Sequence, residues 1–320
     1  MNIDKLSNYW YPIIKSDDLK RKPKGVMLLT TRVVLYRKEG EVIALKDECA
    51  HRSVALSKGR VLTNGCIECP YHGWQFSGDG QCVKIPSNIK DNIPNRAKVD
   101  AFKAIDALGW IWLSLTPKHT LQNDPMFRQL SQMKRDSVVD FDLGVSPVLL
   151  VENVLDPAHV PFAHDGSLSK RSRVQDIDFD VFDNEIASGE VVGVENQSKY
   201  TNRFDFLPGG GVLIRLYNKS DKATVKKYLF NMLHIIVPIS AKESKVISFF
   251  DFNMLPKIIA KSALLKLHNK IKSKKVIMED YEILIEQSKR IEEGANAWNC
   301  VVPADKLGYR YRKWVTEGCY

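Results

Sequence analysis

The alternation of apolar and polar positions gives the chain two textures. Residues 25–47, GVMLLTTRVVLYRKEGEVIALKD, hold two β-branched runs on either side of Lys38-Glu39-Gly40, the pattern of a β-hairpin. Residues 107–114, Ala-Leu-Gly-Trp-Ile-Trp-Leu-Ser, read as a closing strand. Between them lies a loop-rich segment dense in Cys and His. Pro117 and the polar stretch to Asp124 mark a boundary, giving domains 1–118 and 119–320. Beyond it, residues 149–164 are mostly apolar with embedded Glu, Asn, Asp and His. Residues 174–252 read as long strands with turns at Asp183-Asn184, Pro208-Gly209-Gly210-Gly211 and Ser220-Asp221. Residues 257–293 carry Glu, Lys, Ile and Leu at helical spacing, with Gly294 as the stop. The pattern predicts an α+β chain: a β-rich first domain, then an antiparallel sheet covered by helices.

With 320 residues, 44% of them hydrophobic, the chain has enough apolar side chain to build real cores. No stretch reaches the roughly 18 uninterrupted apolar residues that span a bilayer, and the N-terminus has no apolar leader region, so a soluble, cytoplasmic protein without a membrane partner is expected. The formal net charge is +9, with much of the excess between Lys257 and Lys275 (Lys261, Lys266, Lys270, Lys272 and Lys274 between them). A solvated helix face and a docking surface for an acidic partner both fit this run. Nucleic acid is not expected, because no aromatic-interleaved basic motif accompanies the charge.

Six cysteines occur, Cys49, Cys66, Cys69, Cys82, Cys300 and Cys319, and four of them cluster between 49 and 82. Clustered Cys with nearby His reads as metal binding before disulfides. The spacing is Cys49-x-His51, seventeen residues, then Cys69-x-x-His72. Two thiolates and two imidazoles suit tetrahedral zinc, or a [2Fe–2S] cluster with both Cys on one iron and both His on the other. The local sequences Cys49-Ala50-His51-Arg52 and Cys69-Pro70-Tyr71-His72-Gly73-Trp74, flanked by strands with no zinc-finger helix, favour the cluster. Cys66 and Cys82 are surplus; core packing is the expected role and a disulfide the minor one.

A second constellation lies in residues 152–164, Glu-Asn-Val-Leu-Asp-Pro-Ala-His-Val-Pro-Phe-Ala-His. A lone His on an apolar helix is usually a satisfied core residue. Two His and an Asp together are costly to bury unless paired or metal-bound. Asn153, Asp156 and His159 are three apart and share one face of a helix. His164 is five beyond His159, about 140° round a regular helix. A break or π-type bulge at Pro161 is therefore expected if both rings are to converge. Two His with one carboxylate make the facial triad of non-haem iron(II).

These two motifs resemble those of the Rieske non-haem iron oxygenases, most closely the vanillate- and dicamba-type O-demethylases, the saxitoxin-pathway hydroxylases and the pheophorbide-type enzymes. Tyr71 stands where respiratory Rieske proteins carry an extra cysteine, and Ser53 departs from the Gly that many oxygenases have after the His-Arg pair. The resemblance implies Cys49, His51, Cys69 and His72 as [2Fe–2S] ligands and His159 and His164 as ligands of a mononuclear Fe(II). It implies Asp156, with Asn153 beside it, as the bridging acid. The third iron ligand comes late in such chains; Asp280 in Met278-Glu279-Asp280-Tyr281-Glu282 is the best match, with Glu279 and Glu282 as rivals, and a solvated acidic helix face is the alternative for any of them. The tail from Val302 to Trp314 also resembles the family's ends.

The resemblance further implies a helix-grip-like catalytic domain and a terminal oxygenase that uses O2 to hydroxylate or oxidatively demethylate a small organic substrate. Dihydroxylation, desaturation or cyclisation by the same cofactors is the alternative. A Rieske electron-transfer protein, or a zinc-binding interaction protein, is the alternative from another class. No G-x-G-x-x-G fingerprint is present, so a separate reductase or ferredoxin is expected to deliver electrons. A head-to-tail homotrimer is implied, in which Asp156 of one chain meets His72 or His51 of the next. Phe204, Met232, His234 and Phe250 fit either a substrate pocket or the core.

Overall fold

Three two-residue turns, each with both residues at positive φ, set the first sheet: Leu29-Thr30 (49° and 67°), Glu39-Gly40 (51° and 90°) and Leu108-Gly109 (56° and 84°). Turns of this hand match the right-handed twist of the strands they join. The computed structural model describes residues 3–87, 92–174, 177–182, 186–192, 200–218 and 228–317. The expected turns at Asp183-Asn184 and Ser220-Asp221, and Cys319, lie outside the described residues. The chain divides into two compact units, Ile3–Phe127 and Arg128 onward.

After a short helix α1 (Ile3–Leu6), the first unit runs β1 (Tyr11–Lys15), β2 (Lys24–Leu28), β3 (Thr31–Lys38), β4 (Glu41–Lys46), β5 (Arg60–Val61), β6 (Ile67–Glu68), β7 (Gln75–Phe76), β8 (Cys82–Lys84), β9 (Ala101–Ala107) and β10 (Trp110–Ser114). Its antiparallel sheets follow the orders β1-β10-β9-β4-β3-β2 and β5-β6-β7-β8. The hairpin expected at Lys38-Glu39-Gly40 is β3–β4. Residues 107–114 are not one strand: Leu108-Gly109 is the turn between β9 and β10, with Trp110 opposite Ala107. Val34, Tyr36, Leu45, Leu56, Ile67 and Phe76 form a core that also takes in Cys49, Cys69 and Cys82. Cys66 and Cys82 are buried free thiols.

Helix α2 (Pro125–Gln132) spans the division. The second unit continues with β11 (Ser137–Leu143), α3 (Pro147–Val154), α4 (Val160–Ala163), β12 (Asp178–Val181), β13 (Ser188–Val192), β14 (Tyr200–Leu207), β15 (Gly211–Asn218), β16 (Tyr228–Pro238), β17 (Ser244–Asp251), α5 (Lys257–Ala260), α6 (Ala263–Glu292) and α7 (Lys306–Glu317). Among the described residues the strands form one seven-stranded sheet in the order β11-β17-β16-β15-β14-β13-β12, antiparallel throughout. The expected turn at Pro208–Gly211 joins β14 to β15. Gly210 sits there at φ 115°, where a Cβ would come within 2.9 Å of the Ile236 carbonyl. Helix α3 packs on β15 and β16 and touches α6 and α7.

The helical spacing over residues 257–293 corresponds to two helices, α5 and α6. Ser262 takes extended angles, and its side chain accepts a hydrogen bond from Leu265 N (3.2 Å), which starts α6 afresh after α5. The far end closes at Gly294, φ 101°, with Ala295 N donating to Arg290 O and Gly294 N to Ile291 O. That is a Schellman stop. Phe204 and Phe250 are buried in the core.

Candidate metal centres

In the first unit, two five-residue turns present the Cys/His pairs with the same backbone wiring. Cys49 N donates to Val54 O (2.9 Å) and Ser53 N returns to Cys49 O (2.9 Å). In the other turn Cys69 N donates to Trp74 O (2.8 Å) and Gly73 N to Cys69 O (3.1 Å). The fifth position is left-handed in both, Ser53 at φ 55° and Gly73 at φ 70°. A serine there is strained; its hydroxyl donates to Glu48 Oε1 (2.7 Å), which helps hold it. The departure at Ser53 therefore leaves the turn intact.

These turns bring His51 and His72 to 4.6 Å between ring centroids, with His51 stacked on Trp74 and Tyr71 tilted over His72. Cys49 and Cys69 are buried behind them. Burial pushes the Cys49 thiol up to about 11, and the neighbouring Cys69 sulfur adds to the rise. Desolvation, then the nearby His51 and Arg52 charges, hold the His72 ring below its ordinary value. Two adjacent buried thiols backed by two converging imidazoles are the donor set of a Rieske cluster, and these residues fit it.

In the second unit the break expected at Pro161 lies earlier. Helix α3 ends at Val154, and Asp156 is extended at φ −107°, ψ 96°. The ring of Pro157 disfavours the helical region for the residue before it. Pro161 instead occupies the first turn of α4, where its missing donor costs nothing. Asn153, Asp156 and His159 thus do not share a face of one regular helix. The break turns the chain so that the His159 and His164 rings sit 5.3 Å apart, centroid to centroid.

Both rings turn Nε2 to the same oxygen. Asp280 Oδ1 lies 3.4 Å from His159 Nε2 and 3.2 Å from His164 Nε2. One ligand atom from each of the three residues lies within 4.8 Å of the others. Asn153 Nδ2 donates to the same Asp280 oxygen (3.3 Å). Each remaining ring nitrogen faces another carboxylate. His164 Nδ1 is 2.9 Å from Glu279 Oε2, which also accepts from Ser167 Oγ (2.6 Å). His159 Nδ1 is buried without a hydrogen bond, 3.6 Å from Asp156 Oδ2. Asp156 Oδ1 accepts from Ala158 N (2.8 Å), which fixes the carboxylate beside that ring.

The charge balance of the three residues rests on mutual pairing. Burial alone would lower His159, but the Asp156 and Asp280 carboxylates raise it to about 9. Burial alone would raise Asp280, but the two imidazoles hold it at about 2. The His-His-Asp donor set, with both Nε2 atoms turned to one carboxylate oxygen, fits a non-haem iron.

Of the acids in 279–282, Asp280 alone turns into this cluster. Glu279 is taken up by His164 and Ser167, and Glu282 is exposed. Sequence reasoning treated Glu279 only as a rival ligand and missed its contact with His164. The usable signal was adjacency, since neighbours on a helix point about 100° apart, so Glu279 flanks the face that Asp280 occupies. The role of Arg312 was missed as well, and His234 was left open between pocket and core. Arg312 on α7 makes a two-pronged contact with buried Glu152 on α3 (2.6 and 2.9 Å), tying the segment before His159 to the C-terminal helix. His234 on β16, paired with Ser248 Oγ at 2.7 Å, is pushed down to about 4 by burial, with the Asp280 carboxylate pulling the other way.

Comparison with known proteins agrees with this geometry. Residues 9–102 match the Rieske [2Fe-2S] domain, and residues 143–318 match the vanillate O-demethylase oxygenase C-terminal domain. The chain is 31% identical to chlorophyllide a oxygenase, chloroplastic, of Oryza sativa subsp. japonica, over 97% of its own length and 56% of that protein's. It is 28% identical to the methylxanthine N1-demethylase NdmA of Pseudomonas putida, over 98% of this chain and 89% of that one. The chain spans about half the length of the chlorophyllide a oxygenases it matches. In fold it is similar to dicamba monooxygenase bound to dicamba, with TM-score 0.73 and 22% identity over 98% of this chain and 97% of that one.

Proposed function

The chain belongs to the Rieske non-haem iron oxygenases, and from that premise we propose that it is the terminal oxygenase component of a system that hydroxylates or oxidatively demethylates a small organic substrate. The observation that carries this reading is the meeting of His159, His164 and Asp280 at one oxygen, in a chain that also holds the two matched Cys/His turns. When bound, the cluster supplies electrons one at a time at a raised potential, and the iron(II) supplies open positions for dioxygen and substrate.

The chain's own residues do the rest. Cys49, Cys69, His51 and His72 would hold the cluster. Because burial keeps the Cys49 thiol protonated, loading the cluster would release its proton. His159, His164 and Asp280 would hold the iron. Asp156 and Glu279 orient the two imidazoles from behind, and Asn153 fixes the Asp280 oxygen. His234, kept neutral, is close enough to feel the Asp280 charge and offers a polar group on the sheet side.

His51 is exposed and the Asp156 side chain is partly exposed, as the meeting of Asp156 with a neighbouring copy's His51 or His72 in a head-to-tail trimer requires. A reductase or ferredoxin is the electron source. Among the described residues no helix is long and apolar enough to cross a membrane.

The test is iron and acid-labile sulfide analysis of anaerobically purified protein, with an EPR spectrum after reduction. Three iron and two sulfide per chain with a Rieske-type signal are expected. Two iron and two sulfide would mean an empty second site and an electron carrier. Zinc without sulfide would overturn the proposal.

A further inference from the structure

The N-terminal half of α6 presents an apolar stripe to solvent. Leu264 is 77% exposed, Leu267 56% and Ile271 64%, and just before the helix Ile258 is 83% exposed. At 100° per residue the three leucine and isoleucine positions on α6 fall within an arc of about 60°. They lie opposite the inner face, where Asn269 Nδ2 donates to Ser137 Oγ on β11 (3.1 Å) and where Asp280 and Leu284 are buried. A soluble helix normally places polar residues at the centre of its outer face.

Charge flanks the stripe on both sides. By the same angular count Lys270 and Lys274 line one edge, and Lys272 and Lys275 the other. From Lys257 to Met278 the chain has no acidic residue. Among the described residues Lys266, Lys270, Lys272 and Lys274 meet no carboxylate, and Lys275 approaches Glu279 only at 4.0 Å.

We propose that this face of α6 docks on an anionic lipid surface, with Leu264, Leu267 and Ile271 entering the headgroup boundary and the flanking lysines meeting lipid phosphates. An exposed apolar centre with lysine edges on a convex helix is the form of an interfacial helix. Long lysine stems lie along apolar surface while their ammonium groups reach the headgroups. A second copy of this stripe laid in the same direction is disfavoured, because it would set lysine against lysine. The surface contact needs no spanning segment and is independent of the metal centres.

The test is co-sedimentation of the full chain with vesicles of phosphatidylcholine alone and of phosphatidylcholine mixed equally with phosphatidylglycerol. Binding is expected to the mixed vesicles only and to fall steeply with added salt. Each lysine near an anionic surface contributes about fivefold in partitioning, so Lys270→Glu/Lys274→Glu is expected to lose more than tenfold. Leu264→Ser/Ile271→Ser, which leaves every charge in place, is expected to release the protein as well. Iron and sulfide content, unchanged in both variants, shows that they fold. No binding to anionic vesicles overturns the proposal, as does binding that survives the serine variant, which would be charge attraction to the lysines without insertion. A change of oligomeric state in the serine variant without wild-type vesicle binding also overturns it, because a second copy would then be the occupant.

Discussion

Replacing Glu279 separates an orienting carboxylate from a ligand. Its Oε2 accepts from Ser167 Oγ at 2.6 Å and faces His164 Nδ1 at 2.9 Å. Burial pushes the carboxyl up, but Ser167 and His164 outweigh it and hold it below the usual range, so the partner facing His164 is an anion. His164 is 1% exposed, so in the folded chain its ring is held by protein groups and not by bulk water. In Glu279→Ala the imidazole N–H is left buried and unpaired, a cost of ~1–3 kcal/mol, and the ring is free to turn Nε2 away from Asp280. Losing such an outer partner weakens metal binding about 10- to 100-fold. Glu279→Gln keeps an acceptor oxygen in reach and is expected to recover most of that loss. The assay is anaerobic chelator competition for Fe(II), with the absorption bands of a Co(II)-substituted form reporting ring geometry. The cluster's EPR signal should not move in either variant. Iron affinity in the alanine variant within about threefold of wild type would defeat the reasoning. So would complete loss matching Asp280→Ala, which would make Glu279 a ligand. A glutamine variant as weak as alanine would show that charge matters and orientation does not.

Arg312→Met strands the buried Glu152 carboxylate and is expected to destabilise the second unit by ~3–5 kcal/mol at neutral pH, measured by urea unfolding. Adding Glu152→Gln should restore much of the loss, and no restoration would show that packing, not charge, was removed. In the metal-free protein Asp280, held at about 2, lies below its unfolded value, so its stabilisation is present above pH ~4 and lost as pH falls toward 2. His159, raised to about 9, contributes below pH ~6.5 and loses that contribution as pH rises through about 9. Resistance to thermal unfolding without metal should therefore be greatest between pH ~4 and 6.5, with iron loading removing the alkaline decline; a flat metal-free profile would contradict this. Gly73→Ala, at φ 70° and with a new Cβ 3.0 Å from Pro86 Cγ, is expected to cost ~1–2 kcal/mol and to lower sulfide content, whereas unchanged cluster occupancy would show that the turn tolerates a side chain.

The sequence made the cluster turns legible because every determinant is local: each Cys/His pair lies within four residues, and the bonds that fold each turn span five. The iron segment was half legible. A break between the two His is required by helix geometry and Pro161 lies between them, but the break falls before His159, because Pro157 acts backwards on Asp156. The choice among Glu279, Asp280 and Glu282 could not be made without the phase of α6. That phase is set by contacts such as Asn269 with Ser137, 132 residues away in sequence. The Glu152–Arg312 contact, separated by 160 residues, left no local trace. The exposed stripe was invisible because Leu and Ile at helical spacing look the same whether they face the core or the solvent.

Helix α6 is thirty residues without interruption, a rod of ~45 Å. Asp280 and Glu279 ride on it, about 16 Å along the axis from Asn269. A hydrogen-bonded helix transmits axial displacement with little loss, so one residue's slip, 1.5 Å, would carry the Asp280 oxygen clear of both imidazoles. The precision of the metal centre is therefore set as much by the joints of this rod, the Ser262 cap, the Asn269 anchor and the stop at Gly294, as by the side chains around the ion. A substitution at any of them, remote from iron, acts on the reaction coordinate as a change of alignment.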